Sequence, residues 1–392
     1  MNDTTKDAST ATPTTQSTSD VSAPPGKAAT SETQLAVATT GGTMGDTAQV
    51  VAQQSEVPFK ERTQSGVGEN KQSATSQSAP SVEWRVVGET VPGASHLRAG
   101  IPNQDALLQM RASSIGLPII LTVSDGHGSN KCFRSDRGSR FAVHLAATLM
   151  SETFNLSADI SDTKSLAEKT RVHLPGELVR RWRAAVEDDL RHEPLREAEF
   201  AKMIEKDGER ARQLVEANPY LAYGATLLVA AVTSSFALYM QLGDGEILHV
   251  STSGEVTQPL PEDARLLANE TTSLCLNKAA EDFRFALHSF NDTTPALILL
   301  TTDGYANSFS TTAGFHQVGG DLIDMMRADG FDSVNRDVKG WLEEATTTGS
   351  GDDCTLAFLV RMDALAADPA TEKVTEATAA IASTATGLSS PS

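Results

Sequence analysis

The chain has 392 residues and a formal net charge of -19 at pH 7. So large an excess of carboxylates disfavours binding to the phosphate backbone of nucleic acids and to anionic membranes. The N-terminus lacks the pattern of a signal peptide, and the sequence has no run of about 18 apolar residues, so we expect a cytoplasmic protein without membrane contact.

The two ends of the chain differ in composition from its centre. Residues 1–80 are rich in Ser and Thr and nearly free of aromatic residues, so they bury too little apolar surface to offset the entropy of folding. Residues 364–392 have the same small, polar character. We therefore predict disordered segments at 1–80 and 364–392 around one domain at 81–363, which is long enough for a buried core.

Hydrophobic patterns predict many short strands and two separate helical blocks. Turn signals at "VTSS" and "STSGEV" favour antiparallel pairing of the neighbouring strands. This order predicts an α+β fold in which mainly antiparallel sheets stack face to face and helices cover the outside. In chain order, the predicted elements are strands at 82–89 and 117–124, helices at 137–154, 176–190 and 198–217, strands at 225–233, 236–242, 247–251, 283–289 and 296–302, helices at 321–327 and 334–344, and a strand at 355–360.

Aspartates follow or precede several of these apolar runs. Asp125, Asp244 and Asp303 each end a run and precede a glycine, while Asp105 and Asp352 stand at the edges of two others. Asp-Gly is common in turns, so each aspartate alone also fits a turn residue. Carboxylates gathered at strand ends raise each other's pKa unless a cation neutralises them. Oxygen ligands without a His or Cys cluster fit Mg²⁺ or Mn²⁺, and a pair of such ions supports phosphoester hydrolysis.

Six short motifs in order carry a family resemblance. "NQDA", "VSDGHGS", "YGATLLVAA", "LGDGEI", "LLTTDG" and "GDDCTLAFL" resemble those of the PP2C-type, metal-dependent protein serine/threonine phosphatases, across nearly all of residues 84–361. The opening "GASHLRAGIPNQDA" is most similar to the bacterial branch of that family. The resemblance implies a four-layer αββα sandwich, two Mn²⁺ or Mg²⁺ ions, and hydrolysis of phosphoserine and phosphothreonine by direct attack of a water that bridges the ions.

The resemblance also implies roles around the "DGH" segment. Asp125 would bridge the two ions, and the backbone carbonyl of Gly126 would be a further ligand. His127 would act as the general acid that protonates the leaving seryl or threonyl oxygen. The small residues at 224–226 would let a strand pass close beneath the metals.

The remaining aspartates are implied to complete the metal sites. Asp303 and Asp352 would hold the first ion, and Asp105 would support the second directly or through water. Asp244 fits either a weak third ion or a turn. Asn307 stands where an aspartate often helps that third ion, which puts the third site in doubt.

Two positions depart from the family pattern. Gln104 stands where many members have a glutamate ligand, so the second ion would bind more weakly or chiefly through water. Gly100 stands where many members place a phosphate-binding arginine. Arg98, Arg134 and Arg137 are candidate replacements, although each also fits a solvated surface charge.

We predict a monomeric phosphatase that acts on phosphorylated proteins and opposes a serine/threonine kinase in signalling. No covalent phosphoenzyme is expected, because the sequence has no Cys-x5-Arg stretch and no Asp-x-Asp motif after an apolar run. The alternatives are a catalytically weak pseudophosphatase that serves as a phosphoprotein-binding regulatory module, and hydrolysis of a small phosphorylated metabolite. His96 has no metal-like spacing and is interpreted as a satisfied core or surface residue.

Overall fold

The computed structural model describes residues 83–111, 116–156, 163–261, 272–290 and 294–366. The predicted segment 1–80 lies outside these residues, as does the predicted C-terminal segment beyond Ala366. A short helix, Met362–Ala366, crosses the predicted domain boundary at residue 363.

Ten strands lie in the described residues. They are β1 (Trp84–Val91), β2 (Ala106–Arg111), β3 (Ile119–Ser124), β4 (Leu227–Val232), β5 (Phe236–Leu242), β6 (Glu246–Val250), β7 (Val256–Thr257), β8 (Arg284–Ser289), β9 (Leu297–Thr301) and β10 (Cys354–Arg361). The first sheet has the order β1-β10-β9-β6-β7, and the second has the order β2-β3-β4-β5-β8. Every pairing of these strands is antiparallel, including the two predicted hairpins, β4–β5 and β6–β7.

Nine α-helices lie in the same part of the chain. They are α1 (Ala94–Ala99), α2 (Ser135–Leu156), α3 (Thr163–His192), α4 (Glu197–Asp207), α5 (Glu209–Ala217), α6 (Asp303–Ala306), α7 (Thr312–Asp329), α8 (Phe331–Thr348) and α9 (Met362–Ala366). Helices α7 and α8 pack on the first sheet, and α2 and α3 pack on the second. Among the described helices, none has the length and apolar character needed to cross a membrane.

Three apolar clusters separate four layers. The cluster between the sheets contains Leu121 and Leu359, both fully buried. Trp182 of α3 lies in the cluster against the second sheet, and Val338 of α8 lies in the cluster against the first. Full burial of an aliphatic side chain such as Leu121 or Val338 contributes about 1.5–3 kcal/mol to folding. The predicted αββα sandwich is confirmed, because both faces of each sheet have an apolar layer to bury.

Some element bounds differ from the prediction for local reasons. The predicted helix at 198–217 is two helices, because Gly208 adopts a φ of 76° between α4 and α5. Helix α3 begins at Thr163 and continues through Pro175, whereas the predicted helix began after this proline, at residue 176. Strand β2 was not predicted, since its residues alternate between half-buried and exposed and give no apolar run.

Candidate metal centre and active site

Strand β3 ends at Ser124 and delivers Asp125 to the site. The backbone N–H of Asp125 donates to Thr226 Oγ1 at 3.0 Å, and the Thr226 N–H donates to the Asp125 carbonyl at 2.8 Å. Gly126 pairs with Ala225 in an isolated bridge. A Cβ at Gly126 would lie 2.5 Å from the carbonyl oxygen of Gln104, so only glycine fits there. The chain around Asp125 is therefore fastened to the beginning of β4.

Three carboxylates converge from three separate segments. Oxygens of Asp125, Asp244 and Asp303 lie within 4.8 Å of one another. Asp244 lies on the connection from β5 in the second sheet to β6 in the first, where Gly243 turns with a φ of 104°. Asp303 follows β9 and begins α6, and its Oδ2 accepts a hydrogen bond from the Asn307 side chain at 3.1 Å. We call these three residues the carboxylate cluster.

The pKa values of this region reflect buried like charge. Burial raises the pKa of Asp125 well above its usual range, and the negative charges of Asp105 and Asp303 raise it further. Burial also raises the pKa of Asp303, and the charges of Asp244 and Asp352 act in the same direction. A nearby cation would reverse these shifts, because it favours the ionised carboxylates.

Asp105 lies beside the carboxylate cluster and is 7% exposed. Its Oδ2 accepts hydrogen bonds from Thr302 Oγ1 at 2.8 Å and Thr355 Oγ1 at 2.7 Å. Burial nevertheless raises the pKa of Asp105 well above its usual range, and the charge of Asp353 adds to the effect. Two hydroxyl donors therefore offset only part of the cost of burying this charge.

Asp352 and Asp353 form a second acidic group with His96. Asp352 is about half exposed, whereas Asp353 is buried and accepts N–H bonds from Gly93 at 2.6 Å and Gln104 at 2.7 Å. His96 Nδ1 lies 2.9 Å from Asp353 Oδ1, and its Nε2 lies 3.5 Å from Asp352 Oδ1. The sequence interpreted His96 as a satisfied core or surface residue, and it gave no sign of these two contacts. The histidine bridges two aspartates at the edge of the site, and its contacts are some 250 residues away in sequence.

Gln104 is 6% exposed and faces the site with one oxygen left over. Its Nε2 donates to Ser135 Oγ at 2.6 Å, while its Oε1 is buried and has no hydrogen-bond partner in the described part of the chain. Native proteins rarely leave a buried polar atom without a partner. An amide oxygen in this state is suited to a hard cation or a water molecule.

His127 follows Gly126, and its side chain packs closely against the backbone at Gly224. Its N–H donates to the Gly224 carbonyl at 3.1 Å, and a Cβ at Gly224 would lie 2.8 Å from His127 Cδ2. Glycine at position 224 therefore leaves room for the imidazole. Burial lowers the pKa of His127, and the charge of Asp244 opposes that shift.

Two of the three candidate arginines are held by acidic partners. Arg134 is 2% exposed and pairs with Glu199 at 2.9 Å, so its interpretation as a solvated surface charge is wrong. Arg137 pairs with Asp189 at 3.0 Å. Arg98 is exposed on α1. Neither Arg134 nor Arg137 is free to take the place of the missing arginine at Gly100.

The residues present fit a divalent metal ion. Their donor atoms are oxygens, namely the carboxylates around Asp125 and the Oε1 of Gln104, which are the ligands that Mg²⁺ and Mn²⁺ prefer. Burial and neighbouring carboxylates raise the pKa values of Asp105, Asp125 and Asp303, so positive charge would stabilise their ionised forms. A divalent ion would supply it.

Comparison with known protein families agrees with this chemistry. Residues 92–343 match the family model of protein phosphatase 2C. The chain belongs to the protein phosphatase 2C family. Members of this family are serine/threonine protein phosphatases, so the predicted class of enzyme is confirmed.

Solved structures of bacterial phosphatases are similar to this PP2C chain at low identity. PppA, a regulatory component of the type VI secretion system in Pseudomonas aeruginosa, is 16% identical over 71% of this chain and 99% of its own, with a TM-score of 0.45. The Mycobacterium tuberculosis phosphatase PstP/Ppp is 16% identical over 71% and 98%, with a TM-score of 0.42. The PstP catalytic domain in complex with two manganese ions is 15% identical over 71% and 97%, with a TM-score of 0.41. No curated protein sequence matches the chain.

Proposed function

We propose that this chain removes phosphate from phosphoserine and phosphothreonine in proteins with the help of two divalent ions, Mn²⁺ or Mg²⁺. The observation that supports this most directly is the convergence of Asp125, Asp244 and Asp303 to within 4.8 Å. Half-buried carboxylates so close together are stabilised by positive charge, and a site that binds divalent cations next to a histidine is suited to phosphoester hydrolysis. Phosphorylated proteins and an opposing serine/threonine kinase are the partners that such an activity requires.

The family resemblance suggests the ligands. Asp303 and Asp352 would hold one ion, and Asp125 would contribute to both. The Gly126 carbonyl, the Gln104 amide oxygen and Asp105 would support the second ion directly or through water, and Asp244 would serve a weaker third. When bound, the ions supply a water nucleophile and offset the negative charge of the phosphoryl group.

His127 is the proposed proton donor. Because burial lowers its pKa, the imidazole is neutral at pH 7 before substrate binds. A phosphoryl dianion adds negative charge beside Asp244 and the imidazole, which raises the pKa of His127 and favours proton uptake. The ring then gives this proton to the seryl or threonyl oxygen as the bond from phosphorus to that oxygen breaks.

A pseudophosphatase is the second candidate function. It is favoured by Gln104, which lacks the charge of a glutamate ligand, and by the engagement of Arg134 and Arg137 with acidic partners. A protein of this kind would bind a phosphopeptide without releasing phosphate. Calorimetric titration with a phosphothreonine peptide, followed by a phosphate assay of the same sample, distinguishes the two functions.

The main test is phosphate release from a phosphopeptide and from p-nitrophenyl phosphate with Mn²⁺. We expect turnover by the unmodified chain and a loss of about a hundredfold or more in Asp125→Asn and Asp303→Asn, because each removes a ligand charge. Asp337→Asn, which changes an exposed carboxylate on α8, is the matched control and is expected to keep its activity. Full activity of both site variants would contradict the proposal.

A further inference from the structure

A groove of about 430 Å³ begins at the loop that follows His127. Residues 128–131 form one side, and the end of α4 and the beginning of α5 form the other, with Asp207, Arg210 and Leu214 among the lining residues. The Asn130 side chain donates to Asp207 Oδ1 at 2.9 Å across this gap. The loop next to the candidate active site is therefore fastened to the helices that border the groove.

Two cations, Lys131 and Arg210, line the groove. Lys131 and Arg210 form no salt bridge with any residue that the structure describes, whereas nearby Arg212 pairs with Glu197 at 2.9 Å and with Glu216 at 2.8 Å. Exposed cations in a chain with a net charge of -19 are usually surrounded by carboxylates. Lys131 and Arg210, which lie on facing sides of one groove and have no such ion pair in the described residues, are complementary to an acidic ligand.

The groove also offers an apolar surface. Leu214 is 45% exposed, and Ala211 beside it is buried beneath the groove. A large aliphatic side chain that stays exposed next to a polar rim is a common feature of peptide-binding surfaces. The chemistry of the groove is thus mixed, with Lys131 and Arg210 on two sides, the Asp207 carboxylate held by Asn130, and a hydrophobic contact point at Leu214.

Its position relates the groove to the substrate's polypeptide chain. His127, as the proposed donor to the leaving oxygen, lies on the side of the phosphorus from which the substrate residue departs. Gly128, the next residue, already lines the groove. Because an extended peptide advances about 3.5 Å per residue, the residues a few positions from the phosphorylated one can reach Lys131 and Arg210.

We propose that this groove binds acidic residues next to the phosphorylated serine or threonine, with Lys131 and Arg210 contacting their carboxylates. The preferred substrates are then acidic segments of phosphoproteins. This inference rests on the proposed phosphatase function, and it adds a substrate preference that the metal ligands do not determine.

The experiment compares three phosphothreonine peptides that differ only in the four residues on each side, which are Asp-rich, Gln-rich or Lys-rich. We measure kcat and KM for each with Mn²⁺, and we expect kcat/KM to be highest for the Asp-rich peptide. Arg210→Glu should reduce the ratio of kcat/KM between the Asp-rich and Gln-rich peptides by about fivefold, chiefly through KM, since one exposed ion pair is lost and a repulsion is added. Lys131→Gln should reduce it in the same direction.

Lys202→Glu is the matched control. Lys202 is exposed on α4 and does not line the groove, and the substitution changes the net charge by the same amount as Arg210→Glu. We expect this control to keep the ratio of the unmodified chain. If the ratio fell equally in Lys202→Glu and Arg210→Glu, overall charge would set the preference, and the proposed role of the groove would be wrong.

The same measurements separate this inference from the function on which it rests. Suppose that the unmodified chain hydrolyses p-nitrophenyl phosphate, and that its kcat/KM is the same for all three peptides. The phosphatase function then stands, and the groove inference fails. If the chain releases phosphate from none of these substrates with Mn²⁺, both fail together. An Asp-rich preference that falls about fivefold in Arg210→Glu and is unchanged in Lys202→Glu supports both.

Discussion

Two regions of this chain hold charged side chains away from solvent, and they do so in opposite ways. In the carboxylate cluster, oxygens of Asp125, Asp244 and Asp303 lie within 4.8 Å of one another. Between α2 and α4, Arg134 lies against Glu199 at 2.9 Å and is almost completely buried. One region gathers charges of a single sign, and the other pairs opposite charges.

The pKa shifts follow this difference. Burial raises the pKa of Asp125 well above its usual range, and its neighbours raise it further. Burial also raises the pKa of Glu199, but hydrogen bonds from Arg134 and from the Arg196 backbone outweigh it and lower the value to about 2. Arg134 meets its opposite charge within the fold, whereas the carboxylate cluster gathers like charges that a bound cation would stabilise. Four predictions test this contrast.

The largest expected effect comes from breaking the buried ion pair. Arg134→Met removes a buried cation and leaves the half-buried Glu199 with only its Arg196 contacts, and we expect a loss of about 3–5 kcal/mol in the free energy of unfolding. Urea denaturation measures it. Arg191→Met removes an exposed pair with Asp188 and is the matched control, for which we expect little change. Equal stability of the two variants would show that Arg134 does not stabilise the fold in this way.

Adding the missing positive charge should stabilise the other region. Mn²⁺ at about a hundredfold excess over its dissociation constant should raise the free energy of unfolding by about 2.7 kcal/mol. Asp125→Asn should remove most of this gain, and Asp337→Asn should keep it. Thermal unfolding with Mn²⁺ and with a chelator measures the difference. A melting temperature that does not respond to Mn²⁺ in the unmodified chain would contradict the site.

Without metal, stability should fall as the pH rises. The pKa values of Asp105 and Asp125 are raised in the folded state, so their contribution is complete below the unfolded pKa near 4 and is lost as the pH rises through the folded pKa. We expect a loss of about 1–3 kcal/mol between pH 5 and pH 7.5 in a chelator. Asp105→Asn should reduce this slope, because it removes a buried charge. A stability that rises over this range, with or without Asp105, would refute the account.

His96 should have the smallest effect. It contacts Asp352 and Asp353, so His96→Asn should weaken Mn²⁺ binding by about tenfold without removing a proposed ligand. Calorimetry measures the affinity directly. His144→Asn on the exposed face of α2 is the control, and we expect its affinity to match that of the unmodified chain. Equal affinities in both variants would mean that His96 does not position the aspartates.

Strands that are buried on both faces were predicted well. Strands β4 and β5 consist wholly of buried residues, so each appears in the sequence as an apolar run that ends at a turn. Strand β2 lies at the edge of its sheet and is partly exposed, so it lacks that signal. Helices α1, α6 and α9 are too short for a periodic pattern.

Sequence patterns likewise predicted one part of the candidate site and missed another. Asp125, Asp244 and Asp303 were found because each lies in a short motif at the end of an apolar run. Other features of the site join residues that are far apart in the chain. His96 contacts Asp353, and Lys131 faces Arg210 across one groove. Single-sequence patterns hold no record of such pairs.

The amino-acid order was sufficient for an α+β fold of stacked antiparallel sheets, for the family resemblance that implied the αββα sandwich, and for the carboxylates at strand ends, because these depend on short stretches of sequence. Whether a given charge is neutralised depends on which distant segment packs against it. Folding brings Glu199 to Arg134 and leaves Asp125 among other aspartates, so only the tertiary structure separates the buried ion pair from the proposed metal centre.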